Sequence, residues 1–196
     1  MAGRKQPNWY TERHLIEPLL DALDGTDGWI ADLGCGPGAL TAPIADRFNG
    51  RVVGIDGSPP RLERARAAHP EIEFHLADFH EPLPSELQGR FDVAVSTEVI
   101  EHLLLPRALF RAARDTGADR LVLTTPYHGY WKNLALAVTG KFDEHWEVHK
   151  DYGHVKFFSV DTITKMADEE GWRVETVRRL GRIAPLAMSM LIDFRR

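Results

Sequence analysis

The stretch Trp29-Ile30-Ala31-Asp32-Leu33-Gly34-Cys35-Gly36-Pro37-Gly38 runs from a short apolar segment straight into three glycines at alternate positions. This predicts a buried strand, a tight turn and, through Leu40, Ile44 and Phe48, a helix. The same alternation repeats downstream. Strands are expected at Val52–Asp56, Ile72–Leu76, Phe91–Ser96 and Arg120–Thr124, with helices at Leu62–Ala68 and Leu109–Arg114 between them. Strands and helices alternating at this spacing are βαβ units, so the fold class is α/β, a doubly wound and mostly parallel sheet covered on both faces. Before the first strand, apolar residues from Trp9 to Leu23 recur at helical spacing, ending at the Gly25–Gly28 turn. A helix over Ser159–Glu170 and a strand over Trp172–Val177 follow later. Residues 127–153 break the alternation, and an insertion after the fifth strand lies at the carboxyl edge of the sheet, where such folds bind ligands. It is read as a substrate lid on a single domain covering residues 1–196.

Composition narrows the function. Of 196 residues, 24 are Lys or Arg and 29 are Asp or Glu, a formal charge of −5, with no basic run that would track a polyanion. Nucleic acid is therefore the less favoured partner. The single cysteine, Cys35, forms no internal disulfide, and the first residues lack the apolar stretch of a signal peptide. With no apolar run near the roughly 20 residues that span a bilayer, a reducing cytoplasm is the expected location. No motif reports on oligomeric state.

The glycine turn alone fits two cofactors, since Gly34 to Ala39 also matches the G-x-G-x-x-A pattern of dinucleotide sites. Charge separates them. A pyrophosphate over this turn would be repelled by Asp32, whereas the ammonium and sulfonium of S-adenosylmethionine (SAM) would be attracted. Asp56, ending the second strand, suits both ribose hydroxyls of either cofactor. Asp78, just past the third strand, is placed to accept from an adenine amino group while Phe79 packs on the base. The competing explanation, in which the glycines merely turn the chain and the aspartates cap helices, has to supply three acids at three successive strand ends.

The series D-L-G-C-G-P-G, G-I-D-G-S and L-A-D-F resembles the motif series of class I SAM-dependent methyltransferases, over residues 29–180. The resemblance implies a seven-stranded sheet whose last strand, near Leu186–Phe194, is antiparallel. It also implies that Asp32, Gly34 and Gly36, with Cys35 between them, hold the amino-acid end of SAM. Asp56, beside Gly57 and Ser58, would take the ribose, and Asp78 with Phe79 the adenine. Tyr10 and Arg13 are candidates to close over the methionine carboxylate, a surface helix face being the alternative.

Glu98, Glu101 and His102 stand at i, i+3 and i+4, so one helical turn would bring two carboxylates and an imidazole together, a donor set suited to Mg²⁺, Mn²⁺, Fe²⁺ or Zn²⁺. The E-V-I-E-H-L string is similar to that of ubiquinone-biosynthesis O-methyltransferases and of small-RNA 3′-end 2′-O-methyltransferases. That similarity implies a divalent metal held by Glu98, Glu101, His102 and a later histidine, for which His154 in Gly153–Ser159 is the match. Glu101, His102 and His154 are thus the candidate catalytic residues; in a metal-free member, His102 or His154 would be the general base. His128, His145 and His149, with Glu147, rank below His154. Tyr127, Tyr130, Trp131 and Trp146 would either stack on an acceptor or pin the insertion to the sheet. Met188 and Met190 read as core. The expected function is methyl transfer to a hydroxyl of a small molecule, with an RNA 2′-O-methyltransferase and a non-catalytic SAM-binding subunit as alternatives.

Overall fold

In the computed structural model the described residues are 9–142, 145 and 153–196, with side chains described from residue 14. They form helix α1 (Trp9–Leu23), strand β1 (Ile30–Leu33), α2 (Thr41–Arg47), β2 (Val52–Asp56), α3 (Pro59–Ala68), β3 (Glu73–Leu76) and β4 (Val93–Thr97). After these come α4 (Arg107–Asp115), β5 (Arg120–Pro126), α5 (Tyr130–Thr139), α6 (Val160–Glu169), β6 (Arg173–Leu180) and β7 (Ser189–Arg195).

The sheet order is β3-β2-β1-β4-β5-β7-β6. Pairings among β1 to β5 are parallel, while β7 runs antiparallel to both β5 and β6. The expected seven-stranded doubly wound fold with an antiparallel last strand is therefore observed. β1 and β2 are buried at every position, as central strands of a parallel sheet with helices on both faces are, and this burial includes the charged Asp32 and Asp56. One face packs Leu15, Leu19, Ile44 and Leu62 from α1, α2 and α3. The other packs Phe110, Ile163, Trp172 and Phe194 around α4 and α6. Trp172 is fully buried and its indole N–H donates to the Phe110 carbonyl at 3.3 Å, satisfying the polar edge of the largest core side chain.

Several boundaries differ from expectation for local reasons. α3 starts three residues early, because Pro59 and Pro60 occupy first-turn positions where no N–H is needed. β7 starts late, because Ala184–Leu186 form a 3₁₀ turn around Pro185. Within the 127–153 insertion, Tyr130–Thr139 is a regular helix closed by Gly140 in the left-handed region at φ 66°. The polar and aromatic composition had masked this helix.

Both halves of the sheet diverge from β1: β2 lies on one side and β4 on the other. Such a switch point opens a crevice at the carboxyl ends of the strands. Gly34, Asp56, Asp78, Glu98 and Tyr127 all lie at or just past those ends.

Candidate functional site

A cleft of about 970 Å³ opens at this crevice, lined by Gly34, Asp56, Gly57, Ser58, Asp78 and Phe79 on one side and by Glu98, Val99, His102 and Gly153 on the other. At its floor the backbone N–H groups of Gly34 and Cys35 both donate to the Ile55 carbonyl, at 2.7 and 3.1 Å, which folds the glycine turn onto β2. Gly34 has φ 86°, and a side chain there would meet Val99 Cγ2 at 2.4 Å. Gly36, at φ 54°, has open space where a Cβ would stand. A cradle of that kind accepts a ligand pressed against the backbone.

The Asp56 carboxylate is aimed by two backbone donors, Gly36 N–H to Oδ2 at 2.9 Å and Ser58 N–H to Oδ1 at 2.8 Å. Each oxygen keeps a second lone-pair site, enough for a pair of neighbouring hydroxyls. Asp78 is exposed, and its Oδ1 accepts from the His80 backbone N–H and meets His80 Nδ1, both at 2.9 Å. These contacts with His80 hold the Asp78 carboxyl below the usual range. Phe79 is buried beside it.

Asp32 and Cys35 lie beneath the turn and do not form the cleft wall. Asp32 is 2% exposed and accepts from the Thr41 hydroxyl at 2.6 Å at the start of α2. Burial pushes its carboxyl up to about 6, with the Thr41 bond acting against the rise and the Asp56 charge adding to it. The Cys35 thiol is buried, contacts the Gly36 carbonyl at 3.7 Å and is raised by that burial. The side chains of Tyr10 and Arg13 lie outside the described residues.

At the far end of the cleft, Glu101, His102 and His154 each present a ligand atom, all within 4.8 Å of one another. Val155 and Lys156 donate their N–H groups to the Glu101 carbonyl at 2.9 and 3.0 Å, which brings His154 from a distant part of the chain onto the 3₁₀ turn Ile100–His102. The His102 and His154 rings stand 4.9 Å apart at 66°. Thr125 donates its hydroxyl to Glu101 Oε2 at 3.0 Å, and Glu101 Oε1 is buried with no hydrogen-bond partner among the described residues. Such an orphaned oxygen, facing two imidazoles, fits a divalent cation.

Glu98 corrects the expected geometry. Its φ of 52° places it in the left-handed region, so it precedes the turn of Glu101 and His102 instead of sharing one helical turn with them. It does not join the group of three. Its Oε1 is also buried without a hydrogen-bond partner among the described residues, and burial raises its carboxyl, against the pull of the Thr124 and Ser189 hydroxyls and the Lys132 charge. Burial, then the Glu98 charge, likewise raises Glu101.

The remaining expectations divide. Tyr127 is buried and bridges to Phe158, pinning the insertion, while Tyr130 and Trp131 face outward at 73% and 62% exposure. His128 is buried with its ring 5.1 Å from that of His145. Trp146, Glu147 and His149 lie outside the described residues. Met190 is core, but Met188 lines a second cavity. Thr41 and Thr125, the hydroxyl partners of Asp32 and Glu101, were not anticipated; Thr125 near the end of β5 carried the positional signal that strand ends in this fold provide.

A family model described as "Methyltransferase domain" matches residues 9–177. Among curated relatives, an uncharacterized protein in transposon TN4556 of Streptomyces fradiae is 39% identical over 126 residues, covering 60% of this chain and 35% of that protein. A ubiquinone biosynthesis O-methyltransferase of Rhodopseudomonas palustris (strain BisB18) is 31% identical over 138 residues, covering 68% of this chain and 54% of the enzyme. The chain thus spans between a third and about half of the length of these relatives. The crystal structure of an S-adenosylmethionine dependent methyltransferase from Mesorhizobium loti matches with a TM-score of 0.69 at 24% identity, covering 91% of this chain and 96% of that one. That likeness is one of fold.

Proposed function

Since the chain belongs to the methyltransferase domain family, we propose that it transfers the methyl group of SAM to a hydroxyl of a small molecule, with a divalent cation held beside that hydroxyl. The observation that carries this reading is a juxtaposition: His102 lines the same cleft as Asp56 and Asp78 while standing within the Glu101, His102 and His154 group. A cofactor site and a hydroxyl-activating site then face one another across a single cavity.

SAM supplies an electrophilic methyl on a sulfonium, and the chain's residues orient it. The Asp56 carboxylate, fixed by Gly36 and Ser58, receives the ribose hydroxyls. Asp78 and Phe79 take the adenine, and the open backbone at Gly36 takes the amino-acid end, above the buried charge of Asp32. Glu101, His102 and His154 would hold the metal, whose chemistry is to lower the pKa of a bound hydroxyl and fix its direction. Thr125 orients the Glu101 carboxylate from behind, the kind of support that metal ligands generally need. Tyr127, bridged to Phe158, and the helix α5 that follows it form the described part of the insertion beside the acceptor site.

A small acceptor is preferred to RNA on the formal charge of −5. Binding of short RNA that weakens steeply with added salt would contradict that preference. The metal assignment predicts that Glu101→Gln and His154→Ala each lose bound Mn²⁺ or Fe²⁺ by elemental analysis, and lower methyl transfer by on the order of a hundredfold. SAM affinity in both variants should stay near that of the parent. Unchanged metal content and turnover in both would remove the assignment, and methyl transfer by the purified chain alone separates an enzyme from a non-catalytic subunit.

A further inference from the structure

We infer that the acceptor carries an anionic group, a carboxylate or a phosphate, received by Lys132 and Arg182 in a second cavity that meets the cofactor cleft at Glu98. The inference rests on the methyltransferase reading above and names its substrate class. The cavity, about 560 Å³, is of a size to enclose most of a small molecule. Glu98 lines both spaces and His154 lines this one, so a ligand here reaches His154 of the metal-site group next to the cofactor cleft.

Its lining is chemically lopsided. Lys132, Lys141 and Arg182 face it, and Glu98 is the one carboxylate among the described lining residues. Lys132 is the informative member because it is buried, 9% exposed, on the inner face of α5. Its ammonium donates to the Met188 carbonyl at 3.1 Å, which satisfies one of three donors. Burial, and then the nearby Arg182 charge, lower its pKa to about 8, against the pull of Glu98. A buried ammonium beside a guanidinium is stabilised by an anion between them, whereas a purely structural tie to Met188 would need only a neutral donor. Leu136, Leu186 and Ala187 complete the wall with apolar surface. The occupant that fits is a hydroxylated acid with an apolar body, its hydroxyl toward His154 and its anionic end on Lys132 and Arg182.

Matched probes test this with the full chain, saturating SAM and Mn²⁺. Calorimetry compares 3,4-dihydroxybenzoate with its methyl ester, and phenyl phosphate with phenol. The acid of at least one pair should bind on the order of tenfold tighter than its neutral partner, as a charge-assisted contact implies. Which pair discriminates identifies carboxylate or phosphate. Lys132→Met and Arg182→Ala should each erase most of that preference while SAM affinity and melting temperature stay near the parent values. Arg182, at the exposed rim, carries the test if Lys132→Met fails to fold. Absence of a preference in both pairs, or a preference that survives both substitutions, overturns the inference. Failure of SAM itself to bind would strike the methyltransferase reading instead.

Discussion

Asp32 holds a charge where the fold would prefer none. Burial raises its carboxyl from 3.8 to about 6. Folding therefore takes up a proton between those values, and stability falls as pH rises from about 4 through about 6 and stays lower above it. Asp32→Asn keeps an acceptor for the Thr41 hydroxyl and removes the charge. Near neutral pH the SAM-free variant should be more stable by on the order of 2 kcal/mol in thermal unfolding, with a flatter pH profile across that interval, yet bind SAM on the order of tenfold more weakly because the sulfonium and ammonium lose a nearby anion. Equal stability and affinity in parent and variant would refute this role. Asp56 and Asp78 were legible as strand-end acids, and the structure shows why capping was a serious rival: each also closes a turn, to Ser58 and to His80. Glu98 was not legible. Spacing places it with Glu101 and His102 only if the backbone is helical, and its left-handed φ is a tertiary outcome, with its N–H tied to the Thr124 carbonyl at 3.0 Å.

At the level of elements, the glycine turn separates two jobs that sequence alone merges. Gly34→Ala forces a Cβ to within 2.4 Å of Val99 at a positive φ, so it should destabilise the fold by on the order of 3 kcal/mol in chemical unfolding. Gly36→Ala meets nothing and pays only the left-handed conformational penalty, about 1 kcal/mol, but sets a methyl in the space left for the cofactor. Its predicted signature is a folded chain with SAM affinity lowered far more than stability. The reverse pattern, an intact cofactor affinity at Gly36→Ala, would show that the cradle lies elsewhere. The βαβ alternation was readable because β1, β2, β4 and β5 are short, mostly apolar and buried segments between turn residues. α5 was not, because its exposed side carries Tyr130, Trp131, Leu134 and Val138 while its buried residue is Lys132, so the apolar-in, polar-out pattern of an ordinary surface helix is reversed. The convergence of His154 on Glu101 was suggested by resemblance and depends on backbone bonds from Val155 and Lys156 that no local pattern announces.

Across the whole molecule, the cofactor should act as a stabilising element. The site is assembled from the ends of β1, β2, β3 and β4 and from the segment after the insertion, so a ligand that bridges them binds only the folded chain. At a hundredfold excess over its dissociation constant, SAM should add about 2.7 kcal/mol to stability, read as a rise in melting temperature. Asp56→Ala should show almost none of this rise, having lost the carboxylate that Gly36 and Ser58 aim into the cleft. The decisive measurement is a calorimetric titration of SAM into the purified chain. One-to-one binding in the parent, weakened by on the order of a hundredfold in Asp56→Ala, is the predicted result; a folded parent chain that binds no SAM, or that binds a dinucleotide in its place, would contradict it.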